Sequence, residues 1–251
     1  MAEYRTNHAL KKLQGGGVIT IVNGVNDGDT VEIFGSLGFE AILAEGEHGP
    51  VSWDAIGDIS RACDLWNMCS VVRVHRNDPS LITRALDRGA SGIMVPHVDT
   101  AEEAQLLARS VRFGPEGNRG QFGGRRALGV TDFHRKANEN VMAIPLLEDI
   151  VAIRNIKEIA TVDGIDVFYV APGDLAQSMG HTGDMGHLEV QQAIDDAIGE
   201  ILAAGRVAGT LVSDSSVERY VKAGVRCLGV APAPWLAAGA INFLARIAAS
   251  S

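Results

Sequence analysis

Several things are scarce in this chain, and each scarcity excludes a class of protein. Its 251 residues include three cysteines, Cys63, Cys69 and Cys227. An odd number at wide spacing fits neither a disulfide framework nor a zinc or redox motif. They read as ordinary buried thiols of a cytoplasmic protein. No apolar run approaches the roughly 20 residues that a membrane-spanning helix needs, and residues 1–5 lack the charged-then-apolar layout of a secretory signal. There is no run rich in Lys and Arg, and the formal net charge is −9. Neither nucleic acid nor an anionic membrane is expected as a partner. The lysines, Lys11, Lys12, Lys136, Lys157 and Lys222, fall in expected helices or loops. An imine mechanism needs a half-buried lysine beside the substrate, so Schiff-base chemistry is not expected. Gly15-Gly16-Gly17 precedes a strand rather than a helix, the wrong order for a dinucleotide-binding loop.

What is present is a regular alternation. Apolar runs of strand length occupy residues 18–22, 41–44, 70–74, 92–95, 142–147, 165–170, 207–211 and 227–230. Helical spacing fills 27–37, 52–66, 79–88, 104–111, 150–160, 188–204, 213–223 and 235–248. Pro79 suits a first helical position, and Thr100-Ala101-Glu102-Glu103 has the layout of a capping box. Eight strands alternating with helices predict an α/β fold, a single (β/α)8 TIM barrel over residues 1–251 with a helix before the first strand. An open doubly wound sheet is the competing architecture. The longest insertion, 113–140, is rich in Gly and Arg and follows the strand-four unit. Its length points to function or to a subunit contact.

Polar residues cluster just after the apolar runs, where an active site at the open end of such a barrel is built. Glu148 follows strand five and Asp174 follows strand six. Neighbouring strands lie about 4.8 Å apart, so the two carboxylates can converge on one ion. Two carboxylates with no Cys or His beside them suit a hard divalent cation, Mg²⁺ or Mn²⁺; each can equally be a solvated loop acid or a helix cap. Arg73 ends strand three inside Val71-Val72-Arg73-Val74. Its planar fork suits a substrate carboxylate, and a structural ion pair with Glu45 or Glu47 is the alternative. His48 is the natural acid–base group, with His97 a lesser one. His181 and His187 lie in a Gly-rich loop that could reach the mouth. Asp87, within a helix, reads as a surface charge.

These motifs resemble those of a known family. Glu47-His48-Gly49-Pro50, Val71-Val72-Arg73, Asn77-Asp78-Pro79, Gly92-Ile93-Met94-Val95-Pro96, Asn118-Arg119-Gly120, the Glu148 strand and Ala171-Pro172-Gly173-Asp174-Leu175 occur in the order found in the HpcH/HpaI family. Its members are class II, metal-dependent aldolases of 2-oxo acids, typified by 2,4-dihydroxyhept-2-ene-1,7-dioate aldolase. The resemblance implies a homo-oligomer, a hexamer built as a trimer of dimers. It implies that Glu148 and Asp174 bind a divalent cation (Mg²⁺, Mn²⁺ or Co²⁺), that Arg73 holds the 2-oxo acid, with Pro172, Gly173 and Leu146 on the substrate side, and that His48 is the acid–base residue. It also gives Asp87 a role, paired with the histidine of a neighbouring subunit.

Two positions depart from the family pattern. Glu45 stands where aspartate is usual, so a longer side chain must support His48. Leu146 stands where glutamine is usual, which removes a polar contact near the substrate. The expected partners are a 2-oxo acid such as pyruvate and an aldehyde, joined or parted through an enolate that the cation stabilises. The aldehyde pocket is expected to draw on the 45–53 loop, the Arg-rich loop and a neighbouring chain. A 3-hydroxyacyl-CoA lyase or an oxaloacetate decarboxylase would use the same enolate. A barrel that had lost catalysis and kept a binding or assembly role is the third reading, with Glu45 and Leu146 in its favour.

Overall fold

The computed structural model describes residues 4–250. The elements run α1 His8–Gln14, β1 Ile19–Asn23, α2 Gly28–Ser36, β2 Ala41–Glu45, α3 Trp53–Leu65, β3 Cys69–Arg73, α4 Pro79–Asp87, β4 Gly92–Val95 and α5 Ala101–Ser110. After the long insertion, which holds α6 Phe133–Ala137, come β5 Met142–Leu147, α7 Ile150–Arg154, α8 Ile156–Ile159, β6 Phe168–Val170 and α9 Pro172–Ser178. The chain ends with α10 Leu188–Ala203, β7 Ala208–Val212, α11 Val217–Ala223, β8 Cys227–Val230 and α12 Ala233–Ala248. The strands close in chain order, β8 pairing with β1, and neighbours run parallel. This is the expected (β/α)8 barrel.

The apolar runs are strands because both of their faces are covered. Alternate residues point to opposite sides. Ile21, Leu43, Val71, Met94 and Tyr169 fill the barrel interior. Their neighbours Val22, Ile42, Val72, Ile93 and Phe168 pack outward against the helices. The interior is tight: a Cβ on Gly229 would lie 1.9 Å from the Tyr169 hydroxyl oxygen, so β8 needs glycine where β6 supplies tyrosine. Helix starts are set by side chains. Asp27, Ser52 and Asp78 each accept a hydrogen bond from a backbone N–H of the first turn. Thr100 and Glu103 form the expected capping box.

Three details differ from the sequence reading. The helix expected over 150–160 breaks at Asn155, whose Nδ2 donates to the Asp99 carbonyl at 2.8 Å. Pro172, Gly173 and Asp174 form the first turn of α9. The 113–140 insertion joins α5 to β5, and so leaves from the N-terminal ends of the strands. Three of its four arginines are occupied there: Arg119 with Asp87 at 2.9 Å, and Arg125 and Arg126 with Asp64 at 2.7 and 3.1 Å. The insertion therefore does not line the strand-end cavity of its own chain.

The last helix is unlike the others. None of the residues of α12 is buried, and Leu236, Ile241, Phe243 and Leu244 are 63–73% exposed. Among the described residues, no helix is long and apolar enough to cross a membrane.

Candidate active site

A cavity of about 600 Å³ opens at the C-terminal ends of the strands. It is lined by eight of the nine expected site residues: Glu45, His48, Arg73, Leu146, Glu148, Pro172, Gly173 and Asp174. The barrel brings them together because they lie on or just after the final residues of four strands, β2, β3, β5 and β6, and closure turns the strand ends into one rim. Asp87 is the exception. It ends α4, at the opposite end of the barrel from His48, and its carboxylate meets Arg119. Within one chain the two do not meet.

Glu148 is the most unusual group. It is 1% exposed, and its Oε1 accepts a hydrogen bond from the His97 backbone N–H at 2.9 Å. Its Oε2 is buried and has no hydrogen-bond partner among the described residues. Burial pushes its carboxyl up to about 7; the nearby His97 pulls the other way, and Asp174 and Glu47 push further. A buried carboxylate with a free oxygen, facing a second carboxylate in an oxygen-lined cavity, fits a hard divalent cation.

Arg73 is clamped. Its Nε donates to Glu45 Oε1 at 3.0 Å, Nη2 lies 2.6 Å from Glu45 Oε2, and Nη1 lies 3.2 Å from Glu47 Oε2. Burial disfavours the guanidinium charge, but the two carboxylates outweigh it and raise its affinity for the proton. Glu45 Oε1 also accepts from the backbone N–H groups of Glu47 and His48, at 2.8 and 3.1 Å. Burial opposes its charge too, yet these bonds hold its carboxyl below the ordinary range. The residue in the aspartate's place thus reaches Arg73 with its side chain, and His48 through backbone only. A guanidinium has five N–H donors. Glu45 takes one face of the fork, while Glu47 Oε2 lies near Nη1 without accepting a hydrogen bond, so part of the fork remains for a ligand carboxylate.

His48 stands at the rim, its side chain 68% exposed and its Nε2 3.8 Å from Glu47 Oε2. His97 has a left-handed backbone (φ 51°), which aims its N–H at Glu148. Its Nδ1 lies 2.8 Å from Asp149 Oδ2, and this contact, opposed by desolvation, raises its pKa. Sequence reasoning missed Glu47, which lies against Arg73, and the lining residues Asn23, Met94, Tyr169, Met185, Leu211 and Ala231. The available signal was position: most of these lie at or just beyond a strand's last residues.

His181, His187 and Glu189 offer ligand atoms within 4.8 Å of one another in the loop leading into α10. The two imidazoles are stacked, with centroids 3.6 Å apart and planes at 16°. A nitrogen lone pair lies in its ring plane, so rings in this arrangement cannot both address one ion without unstacking. The oxygen set at Glu148 and Asp174 is the better-formed centre.

The comparisons agree with this geometry. Residues 22–230 match the HpcH/HpaI aldolase/citrate lyase family. A hydroxypyruvate/pyruvate aldolase from Cupriavidus necator is 36% identical over 203 residues, 77% of this chain and 74% of that protein. A 4-hydroxy-2-oxo-heptane-1,7-dioate aldolase from Klebsiella pneumoniae is 35% identical over 207 residues, 80% of this chain and 78% of that protein. The crystal structure of an HpcH/HpaI family protein from Burkholderia cenocepacia J2315 superposes with a TM-score of 0.87 at 28% identity, covering 96% of this chain and 99% of that one. With the closed barrel and the acidic strand-end cavity, these matches place the chain in the HpcH/HpaI aldolase/citrate lyase family.

Proposed function

We propose that this protein is a metal-dependent aldolase that reversibly cleaves 4-hydroxy-2-oxo acids into pyruvate, or a related 2-oxo acid, and an aldehyde. One observation carries the reading: Glu148, Asp174, Arg73 and His48 line a single cavity at the C-terminal ends of the strands. The names of the two aldolase relatives support it. Glu148 and Asp174 would hold the divalent cation. Bound there, the cation supplies Lewis-acid polarisation of the keto group and neutralises the charge that develops on it.

The chain's own residues do the rest. Arg73 receives the 2-oxo acid carboxylate on the part of its fork that Glu45 leaves open and fixes the substrate's orientation. Pro172 and Gly173 place no bulky side chain over the reacting carbons; a Cβ on Gly173 would meet nothing within 4 Å. His48, acting through water, accepts the proton of the C4 hydroxyl. The O–H electron pair becomes the second bond of the aldehyde carbonyl. The C3–C4 pair passes to the pyruvate fragment as an enolate, which water protonates at C3. Run backwards, the same steps condense pyruvate with an aldehyde.

Self-association belongs to this reading. The bare apolar face of α12 is an unusually large exposed patch for a chain that works alone. A hexamer in which Asp87 approaches His48 of a neighbour would bring the ninth residue to the site. Buried, unpaired cysteines suit a cytoplasmic protein.

The test is exchange of pyruvate methyl protons into D₂O, which needs no aldehyde. Exchange should require added Mg²⁺, Mn²⁺ or Co²⁺ after chelation and should vanish in Glu148→Gln. No exchange with any cation, or full exchange in verified metal-free protein, overturns the reading.

A further inference from the structure

The loop between α9 and α10 gathers side chains that the aldol reaction does not use. His181, His187 and Glu189 converge there, and none of the three lines the strand-end cavity. Tight turns set the backbone that presents them. The His181 N–H donates to the Ala176 carbonyl at 2.7 Å, the Asp184 N–H to the His181 carbonyl at 2.9 Å, and the His187 N–H to the Asp184 carbonyl at 3.2 Å. Gly180 and Gly183 take left-handed φ values of 85° and 82°, which glycine adopts without strain. His187 then caps α10, its Nδ1 accepting from the Glu189 N–H at 3.3 Å. The chain thus folds back so that residues 181 and 189 face each other.

The spacing has the dimensions of a cation site. His181 Nε2 lies 3.2 Å from Glu189 Oε2. A tetrahedral zinc ion with bonds of about 2.0–2.2 Å sets its ligand atoms about 3.3–3.5 Å apart. One edge of such a polyhedron is therefore already in place. The third ligand is the His187 ring, now stacked on His181. One imidazole must turn about its side-chain bonds to aim a lone pair at the ion. Both rings are partly exposed and residues 182–186 between them are exposed, so the turn disturbs no core packing. The donor set also selects the ion. Imidazole nitrogen suits Zn²⁺, Ni²⁺ or Cu²⁺, whereas the oxygens of Glu148 and Asp174 suit Mg²⁺ or Mn²⁺.

We propose that His181, His187 and Glu189 form a second, peripheral site for a transition cation such as Zn²⁺, with water completing the coordination. Its role is to fix a loop rather than to do chemistry. Met185, between the two histidines, lines the cavity, and its carbonyl accepts from Gln191 Nε2 at 2.8 Å. An ion that ties residue 181 to residue 189 closes the loop and holds Met185 at the rim. The inference stands apart from the aldolase reading, since it concerns residues that the reaction leaves idle.

The test uses the full chain carrying Glu148→Gln, which disables the central site, with Zn²⁺ as the probe. Calorimetry should show one Zn²⁺ bound per chain. His181→Ala and Glu189→Gln, each added to Glu148→Gln, should weaken that binding at least tenfold. His187 also caps α10, so His181→Ala, which spares the cap, is the deciding variant. Zn²⁺ should slow amide hydrogen exchange across residues 181–188 at least tenfold in Glu148→Gln, and not when His181→Ala is added. No Zn²⁺ bound by Glu148→Gln, or binding that His181→Ala and Glu189→Gln weaken less than tenfold, overturns the site. Binding that leaves exchange in the loop unchanged overturns its loop-fixing role.

Discussion

Glu148 supplies the sharpest prediction, because its protonation and the binding of a cation compete for the same oxygens. Burial, foremost, raises its carboxyl from 4.5 to about 7. In the metal-free protein the fold therefore favours the protonated form. The sign follows from linkage: this stabilisation is complete below the unfolded value and is lost as pH climbs from 4.5 to about 7. At roughly 1.4 kcal/mol per pH unit, the whole interval is worth on the order of 3 kcal/mol. A cation binds only the deprotonated carboxylate, so its apparent affinity should fall about tenfold per pH unit below 7. An exposed glutamate of ordinary pKa would weaken binding less than about twofold at pH 5. The assay is Mn²⁺ titration by calorimetry between pH 5 and 8, with thermal melts of metal-free and Mn²⁺-loaded protein over the same range. The metal-free Tm should drop with rising pH, and the separation between the two melts should widen. Glu148→Gln should flatten both trends. Equal Mn²⁺ affinity at pH 5 and pH 8, or an unchanged slope in Glu148→Gln, would refute the reasoning.

Other outcomes follow from neighbouring features. Arg73→Ala should weaken pyruvate binding, read as KM for exchange, more than Arg73→Lys does, because lysine keeps the charge and loses the fork; parent-like values in both variants would make the Glu45–Arg73 pair purely structural. Mixing inactive His48→Ala and Asp87→Ala chains under subunit exchange should restore part of the activity, since some sites regain both residues; verified mixed oligomers that stay inactive would leave Glu45 as the supporting carboxylate of His48. Gly229→Ala should lower stability by about 1–3 kcal/mol in a denaturant melt through its clash with Tyr169, and an unchanged midpoint would mean the barrel floor yields more easily than its packing indicates.

The barrel was legible because strand runs such as Met142 to Leu147 are apolar on both faces, and several of the helices between them carry their own start signal, as the capping box of α5 does. The carboxylates were legible for a related reason: acids directly after such runs have few structural uses. Three things were not. Periodicity names elements but does not say which end of the barrel a loop leaves from, so it could not place the 113–140 insertion at the N-terminal ends of the strands. The break at Asn155 depends on a carbonyl 56 residues away. The cavity wall is assembled from single residues on separate strands, among them Met94, Tyr169 and Leu211, and none of these is unusual in its own segment. The Glu47–Arg73 contact was foreseen only as an alternative to ligand binding, whereas the clamp leaves donors free for both.

The clamp on Arg73 also bears on the heat signature of ligand capture. A free arginine surrenders about 2 kcal/mol of rotamer entropy when it is fixed by a ligand. Here Glu45 and Glu47 have already fixed the side chain during folding, so an arriving carboxylate meets a fork that is set in place. The residual entropic toll falls on the incoming acid alone. Calorimetry of 2-oxo acid association should accordingly show little rotational penalty from the protein side, and loosening the clamp by Glu47→Gln should shift the balance toward a less favourable entropy of association.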